Sequence, residues 1–200
     1  LAQNIFYQSM SGHRHFKIHK PDGYLSQFVD NSQKNKKLLG ELYGFPEGTM
    51  SIGRLDQDSE GLLLLTTDGQ VSFHVTSKKV EKEYFVQVDG QITDEAIEQL
   101  KTGVEIGING KKYMTKPCDA KRLESEPDFQ PRNKRIRDDR HGPRSWASII
   151  LREGKYKQVR KMTAAVGFPT LRLVRIRIGE EFLDQMKAGE VLEVSTFNVS

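Results

Sequence analysis

GRLDQDSEGLLLLTTDG, residues 53–69, decides how the rest of this chain is read. Its four consecutive leucines, Leu62, Leu63, Leu64 and Leu65, are too few to cross a bilayer, which takes about 20 apolar residues in a helix. A short apolar run bounded by turn residues reads instead as a buried strand. Asp58, Ser59 and Gly61 supply the turn chemistry just ahead of it. Asp56 therefore falls on a loop packed against the core, where neighbouring charges decide its state. On its own, an Arg-Leu-Asp triplet reads as a loop or capping aspartate. Whether Asp56 does more depends on the remainder of the chain.

Working outward, residues 16–19 alternate as a first strand, ended by the turn signal Pro21, Asp22, Gly23. Residues 36–42 read as a short helix stopping near Gly44 and Pro46. Beyond the leucines, QVSFHV (70–75) fits a hairpin return or a short helix equally well, and residues 82–88 are strand-like. Thr93 is placed to cap a helix, with Asp94 and Glu95 at its positive end, Ile97 and Leu100 facing inward, and Gly103 as the stop. Asn109-Gly110 is a two-residue hairpin signal, and residues 145–151 make a strand carrying Trp146, Ile149 and Ile150. Residues 157–166 form a helix with the apolar stripe Val159, Met162 and Val166, followed by Gly167 and Pro169. Arg160 is one position off that stripe, where it can reach along the boundary between core and cleft. Strands with irregularly interspersed helices predict an α+β fold and argue against a doubly wound parallel one.

Composition narrows the classes further. A chain of 200 residues can bury a substantial core without disulfides, and its single cysteine, Cys118, excludes an intrachain disulfide and a cysteine-rich zinc site. No cofactor-binding glycine motif, phosphate-binding loop or metalloprotease motif occurs, so no cofactor and no metal are expected. With no long apolar run, the expectation is a soluble cytoplasmic monomer with no membrane contact. Residues 1–14 carry no sustained period and read as a tail, in which NIFYQSM loosely resembles the remnant of an engineered protease site; His13, His15 and His19 lie too near it to read as ligands. The net charge is only +4, yet residues 154–178 hold seven Lys or Arg and no acid. Such a block is either a solvated face or the footprint of a polyanion-binding surface. Residues 127–144, with three prolines and six basic residues against three acids, read as a surface loop or as an arm ordered by RNA.

The 53–69 stretch resembles the catalytic signature of the pseudouridine synthases, in the branch that modifies ribosomal RNA. Lys82, Glu83 and Tyr84 resemble that family's K-x-Y element, and REGKYKQVRKM (152–162) is similar to its basic motif. VGFPTLRLVRIRIG (166–179) follows in the family's order, and the PRN (131–133) and Ser145-Trp146 elements look like the subgroup acting on the large subunit. The resemblance covers about residues 16–194. It implies the pseudouridine synthase fold over residues 15–200, a mixed, mainly antiparallel sheet with flanking helices and a central active-site cleft. It also implies isomerisation of a specific uridine in 23S (large-subunit) ribosomal RNA, without the S4-type RNA-binding domain that many relatives carry.

By the same resemblance, Asp56 is the catalytic carboxylate, Arg160 its partner, and Tyr84 a ring for the uracil with a hydroxyl for proton transfer. Arg54 occupies the space left by the flipped base, and Leu173, with Leu171 close by, contacts the base from beneath. Lys155, Lys157, Lys161, Arg172, Arg175 and Arg177 would form an RNA-facing rim, while Ile149 and Leu151 read as core. Uridine and pseudouridine are isomers, so the conversion needs no redox cofactor or energy donor. Whether Asp56 attacks the sugar or removes a ribose proton stays open. Two other classes stand beside this one: a non-catalytic rRNA-binding or ribosome-assembly module, which would not need Asp56, Tyr84 and Arg160 together, and a metal-dependent nuclease, which would need a cluster of carboxylate or histidine ligands.

Overall fold

The computed structural model describes residues 12–30, 35–77, 80–132 and 142–199. In chain order these form β1 (His15–Lys20), a single 3-10 turn (Leu39–Glu41), β2 (Met50–Ile52), β3 (Glu60–Thr66), α1 (Gly69–Ser77), β4 (Lys82–Asp89) and α2 (Asp94–Thr102). There follow β5 (Glu105–Ile108), β6 (Lys111–Met114), β7 (Asp119–Arg122), β8 (Arg144–Leu151), α3 (Gln158–Ala165), β9 (Thr170–Ile178), β10 (Glu181–Phe182) and β11 (Val191–Val194). Two compact units result, Leu1–Val80 with Arg175–Ser200, and Glu81–Val174. The strand pairs with a described register are antiparallel.

In the first unit the strand order is β11-β1-β3-β9, with β2 also on β3 and β10 on β9. The leucine run is β3, and Leu62 to Leu65 are all fully buried. Strand β1 lies beside it, Phe16 opposite Leu65 and Ile18 opposite Leu63. Phe16 enters an aromatic cluster with Tyr43 and Phe45, ring centroids 6.0 and 5.4 Å away. His15, Lys17 and His19 of β1 are buried as well, against residues 181–197. Lys17 pairs with Glu181 (3.1 Å) and Asp184 (3.7 Å), the His19 ring bonds the Met186 carbonyl (2.8 Å), and the His15 ring sits 5.3 Å from that of Phe197. These histidines are structural residues of a strand.

Three expectations are corrected or resolved here. The tail does not reach Arg14: its amide and carbonyl bond Thr67 (2.9 and 3.0 Å), and its guanidinium makes a two-pronged pair with Glu193. Residues 36–42 are not a helix beyond the single turn at Leu39–Glu41. Lys37 is drawn instead into a parallel bridge with Tyr24, and the Leu39 amide bonds the Gln27 carbonyl, so tertiary partners take the groups a helix would use. QVSFHV is helical, α1, capped by Asp68, whose Oδ1 accepts from the Gln70 and Val71 amides.

The second unit has strand order β9-β4-β8-β7 and a separate β5-β6 hairpin. That hairpin turns at Asn109 (φ 49) and Gly110 (φ 76), the left-handed pair its sequence predicts. Thr93 caps α2 by accepting from the Ala96 amide (3.2 Å), as its sequence predicts, and Ile97 and Leu100 face the core. Ile149, Leu151 and Leu173 belong to one buried cluster with Val86, Val159 and Met162. Within 127–144, residues 133–141, Ile136 among them, lie outside the described residues. The first limb is part of the fold, not a loose loop: the Phe129 ring sits 5.7 Å from Trp146 and 6.2 Å from Phe85.

Candidate active site

Asp56 is half-buried on the loop between β2 and β3, in the first unit. Its predecessor Leu55 is buried, and the buried Ser26 hydroxyl holds both of its backbone groups, donating to the carbonyl (2.8 Å) and accepting from the amide (2.9 Å). Its successor Gln57 is held by Gly23, whose amide donates to the Gln57 carbonyl (2.8 Å). The Asp56 carbonyl accepts from the Ser59 amide (3.0 Å), closing the turn that Asp58 and Ser59 signal. Backbone bonds on both sides fix the main chain that carries Asp56, so the loop itself need not be ordered during a reaction.

Two buried cations stand under this loop. Arg175 is 2% exposed; its Nε donates to the Leu62 carbonyl (2.8 Å), and its Nη1 lies 3.5 Å from the Arg54 carbonyl, on the other side of Asp56 in sequence. Gly61 makes that approach possible. At φ 107 it adopts a backbone that side chains rarely take, and a Cβ there would stand 2.3 Å from the Arg175 carbonyl oxygen. Lys20, fully buried, donates to the Pro21 and Tyr24 carbonyls (2.9 and 2.8 Å). Burial pushes its ammonium down to about 8, against the opposing pull of Asp22, Glu60 and Asp58, and the Arg175 charge adds to the lowering.

Tyr84 and Arg160 belong to the second unit. Tyr84 lies on β4 opposite Ile149 and packs, half-buried, against the cluster that also holds Val159 and Met162 of α3. Arg160 is half-buried on α3, off the apolar stripe as expected. Among the described residues no group of three or more His, Cys, Asp or Glu side chains converges as a metal site would require, and no helix is long and apolar enough to cross a membrane.

The basic residues divide in a way their spacing concealed. Arg54 is exposed, and Lys155, Lys157 and Lys161 gather around two tyrosines: Lys155 Nζ is 4.9 Å from the Tyr113 ring, and Lys157 and Lys161 Nζ are 5.7 and 5.2 Å from that of Tyr156. Arg172 and Arg175 are not on a rim. Arg172, 7% exposed, lies over the Phe129 ring (5.4 Å) and donates to the Gln130 carbonyl (2.9 Å), while Arg175 serves the Asp56 loop. Arg177, half-buried, turns back onto the Gly179 carbonyl (2.9 Å). Leu173 is buried in the second unit's core, and its neighbour Leu171 is the more exposed of the two.

Ser26, Lys20, Glu153 and Gln158 are organising residues to which the sequence reading gave no role. Glu153 accepts from the Tyr113 hydroxyl (2.6 Å), the Lys116 amide (3.0 Å) and Gln158 Nε2 (2.6 Å). Burial alone would raise its carboxyl; these bonds and the Lys116 charge outweigh that and hold it below the usual range. Glu153 and Gln158 lie inside the basic motif, but Tyr113, which bonds Glu153, stands on β6, forty residues upstream.

Residues 14–165 match the family model described as RNA pseudouridylate synthase. The chain is 42% identical over 183 residues to ribosomal large subunit pseudouridine synthase E of Xanthomonas axonopodis pv. citri, covering 90% of this chain and 94% of that protein. It is 39% identical over 180 residues to the protein of the same name from Vibrio vulnificus, covering 89% of this chain and 74% of that one. A solved pseudouridylate synthase superposes with a TM-score of 0.71 at 28% identity, over 93% of this chain and 72% of the other.

Proposed function

This chain belongs to the RNA pseudouridylate synthase family and is an isomerase of uridine in RNA; we propose that its target is a uridine of large-subunit (23S) ribosomal RNA. The observation that carries the finer reading is the 42% identity, over nearly the full length of both chains, to a relative named for the large subunit. Catalysis rests on Asp56. The reaction breaks the bond from C1′ of the ribose to N1 of the base, turns the base and joins C1′ to C5, whose proton is then lost while N1 gains one; nothing is oxidised or reduced. A carboxylate beside C1′ serves this by attacking the sugar or by removing a ribose proton.

In this reading Arg160 pairs with Asp56, keeping it ionised and oriented, and Tyr84 stacks on the uracil and shuttles a proton through its hydroxyl. Arg54 enters the space vacated when the target nucleotide flips out, a step that costs a few kcal/mol and least at weakly paired positions. Lys155, Lys157 and Lys161 contact phosphates. The Ser26 and Arg175 contacts are consistent with this assignment, because they order the backbone on either side of Asp56.

The test is to map pseudouridines in unmodified large-subunit and small-subunit rRNA transcripts after incubation with the protein and with Asp56→Asn. The wild type should introduce one at a defined position. Asp56→Asn, nearly isosteric, should introduce none while binding the RNA within a few-fold of wild type. Normal turnover by the variant would refute the catalytic role, and modification confined to small-subunit rRNA would refute the substrate.

A further inference from the structure

We propose that the ring of Tyr156 is a stacking platform for an unpaired nucleobase of the RNA, with the Lys157 and Lys161 ammonium groups on the phosphates beside it. This rests on the reading of the chain as an rRNA-modifying enzyme and adds a substrate contact to it. Tyr156 is 63% exposed, so its ring is not a core residue, and two cations stand within 6 Å of its centroid. A solvent-exposed aromatic ring with ammonium groups close by is the combination that holds single-stranded nucleic acid: the ring takes any base, the cations take the backbone.

The platform is rigid before any ligand arrives. Both oxygens of Glu153 are used, one by the Tyr113 hydroxyl and the other by the Lys116 amide and Gln158, and Gln158 Oε1 in turn accepts from the Lys155 amide (2.9 Å). The segment carrying Lys155, Tyr156 and Lys157 is thus fastened at both ends to the β5-β6 hairpin and to α3. Lys157 adopts a left-handed backbone (φ 51) at the start of α3, a conformation that is uncommon for a side-chain-bearing residue and typical of functional sites. Lys161 Nζ also donates to the Gly107 carbonyl, tying α3 to β5.

The electrostatics favour a polyanion. Residues 154–178 contain no acid, the carboxylate of Glu153 is turned inward, and Glu105 on β5 is engaged by Lys112 (2.9 Å). The geometry therefore offers cations and aromatic faces with the neighbouring carboxylates already occupied.

Two probes test this: an oligouridylate of about ten nucleotides, within the usual site size of a single-stranded binding surface, and an unmodified large-subunit rRNA transcript. Tyr156→Ala should weaken oligouridylate binding roughly 5- to 150-fold, the worth of one stacked base, while the dependence of log K on log salt keeps its slope. Tyr156→Phe should restore affinity to within about twofold, because the ring and not the hydroxyl is used. Lys157→Ala should instead flatten the salt slope by about 0.7, one phosphate contact on a single strand. On the transcript, Tyr156→Ala should raise KM by a similar factor and leave kcat nearly as it was. Oligouridylate binding by Tyr156→Ala equal to wild type, or a loss of kcat with KM unchanged, would overturn the proposal. If the wild-type protein leaves the transcript unmodified, the substrate reading fails, and the oligouridylate arm still decides the platform.

Discussion

The Ser26 hydroxyl and the Leu55 backbone form a closed pair: Oγ donates to the Leu55 carbonyl at 2.8 Å and accepts from its amide at 2.9 Å. One buried side chain from a distant segment thereby sets the peptide immediately before Asp56. Ser26→Ala strands a buried N–H and a buried C=O, which should cost roughly 2–4 kcal/mol. Urea unfolding should show that loss, and single-turnover assays on folded protein should show slower chemistry with RNA affinity kept within a few-fold. Unchanged chemistry would mean that the loop is oriented by other contacts.

Gly61 cannot accept a side chain. A Cβ at φ 107 would collide with the Arg175 backbone at 2.3 Å, and moving that strand would disturb the Arg175 bonds to Leu62 and Arg54. Gly61→Ala should destabilise the protein by the order of 3–5 kcal/mol, visible as a large drop in the urea midpoint, and the fraction that folds should be impaired in catalysis.

Lys20 makes stability depend on pH in an unusual direction. Burial lowers its folded-state pKa to about 8 from an ordinary 10.5, so between those values the unfolded chain binds the extra proton. Raising the pH from 8 to 10.5 relieves the burial of an ammonium group and, through this residue alone, makes the fold more stable, by up to about 3 kcal/mol. Lys20→Met has no proton to lose. The stability of wild type minus that of Lys20→Met should therefore climb over this window, as measured by urea titrations at several pH values. A flat difference would show that the ammonium is not buried.

Tyr84→Phe keeps the ring and loses the hydroxyl. It should bind RNA as the wild type does and slow product formation. Arg160→Ala should lower kcat through a misoriented Asp56, by about 10²-fold if pairing orders that carboxylate. RNA binding that collapses in Arg160→Ala while kcat is retained would assign Arg160 to phosphate contact instead.

Much of this molecule was legible in local sequence. Leu62 to Leu65, Thr93 and Asn109-Gly110 each carry a strand, a cap or a turn by chemistry confined to a few neighbouring residues, and each forms as expected. The ordered motifs around Asp56, Tyr84 and Arg160 likewise named the family that the comparisons show. The fate of the charges was not legible. Arg172, Arg175 and Lys155 read alike in a basic block, yet Arg172 is covered by Phe129, Arg175 sits under the Asp56 loop, and Lys155 stays at the surface. Residues 36–42 carry a helical pattern that loses to a bridge with Tyr24, and His15, Lys17 and His19 of β1 are buried against residues 181–197. Periodicity and capping act within a turn or two of chain. Burial of a cation depends on which carbonyls and rings arrive from tens of residues away, and only the tertiary structure brings them together.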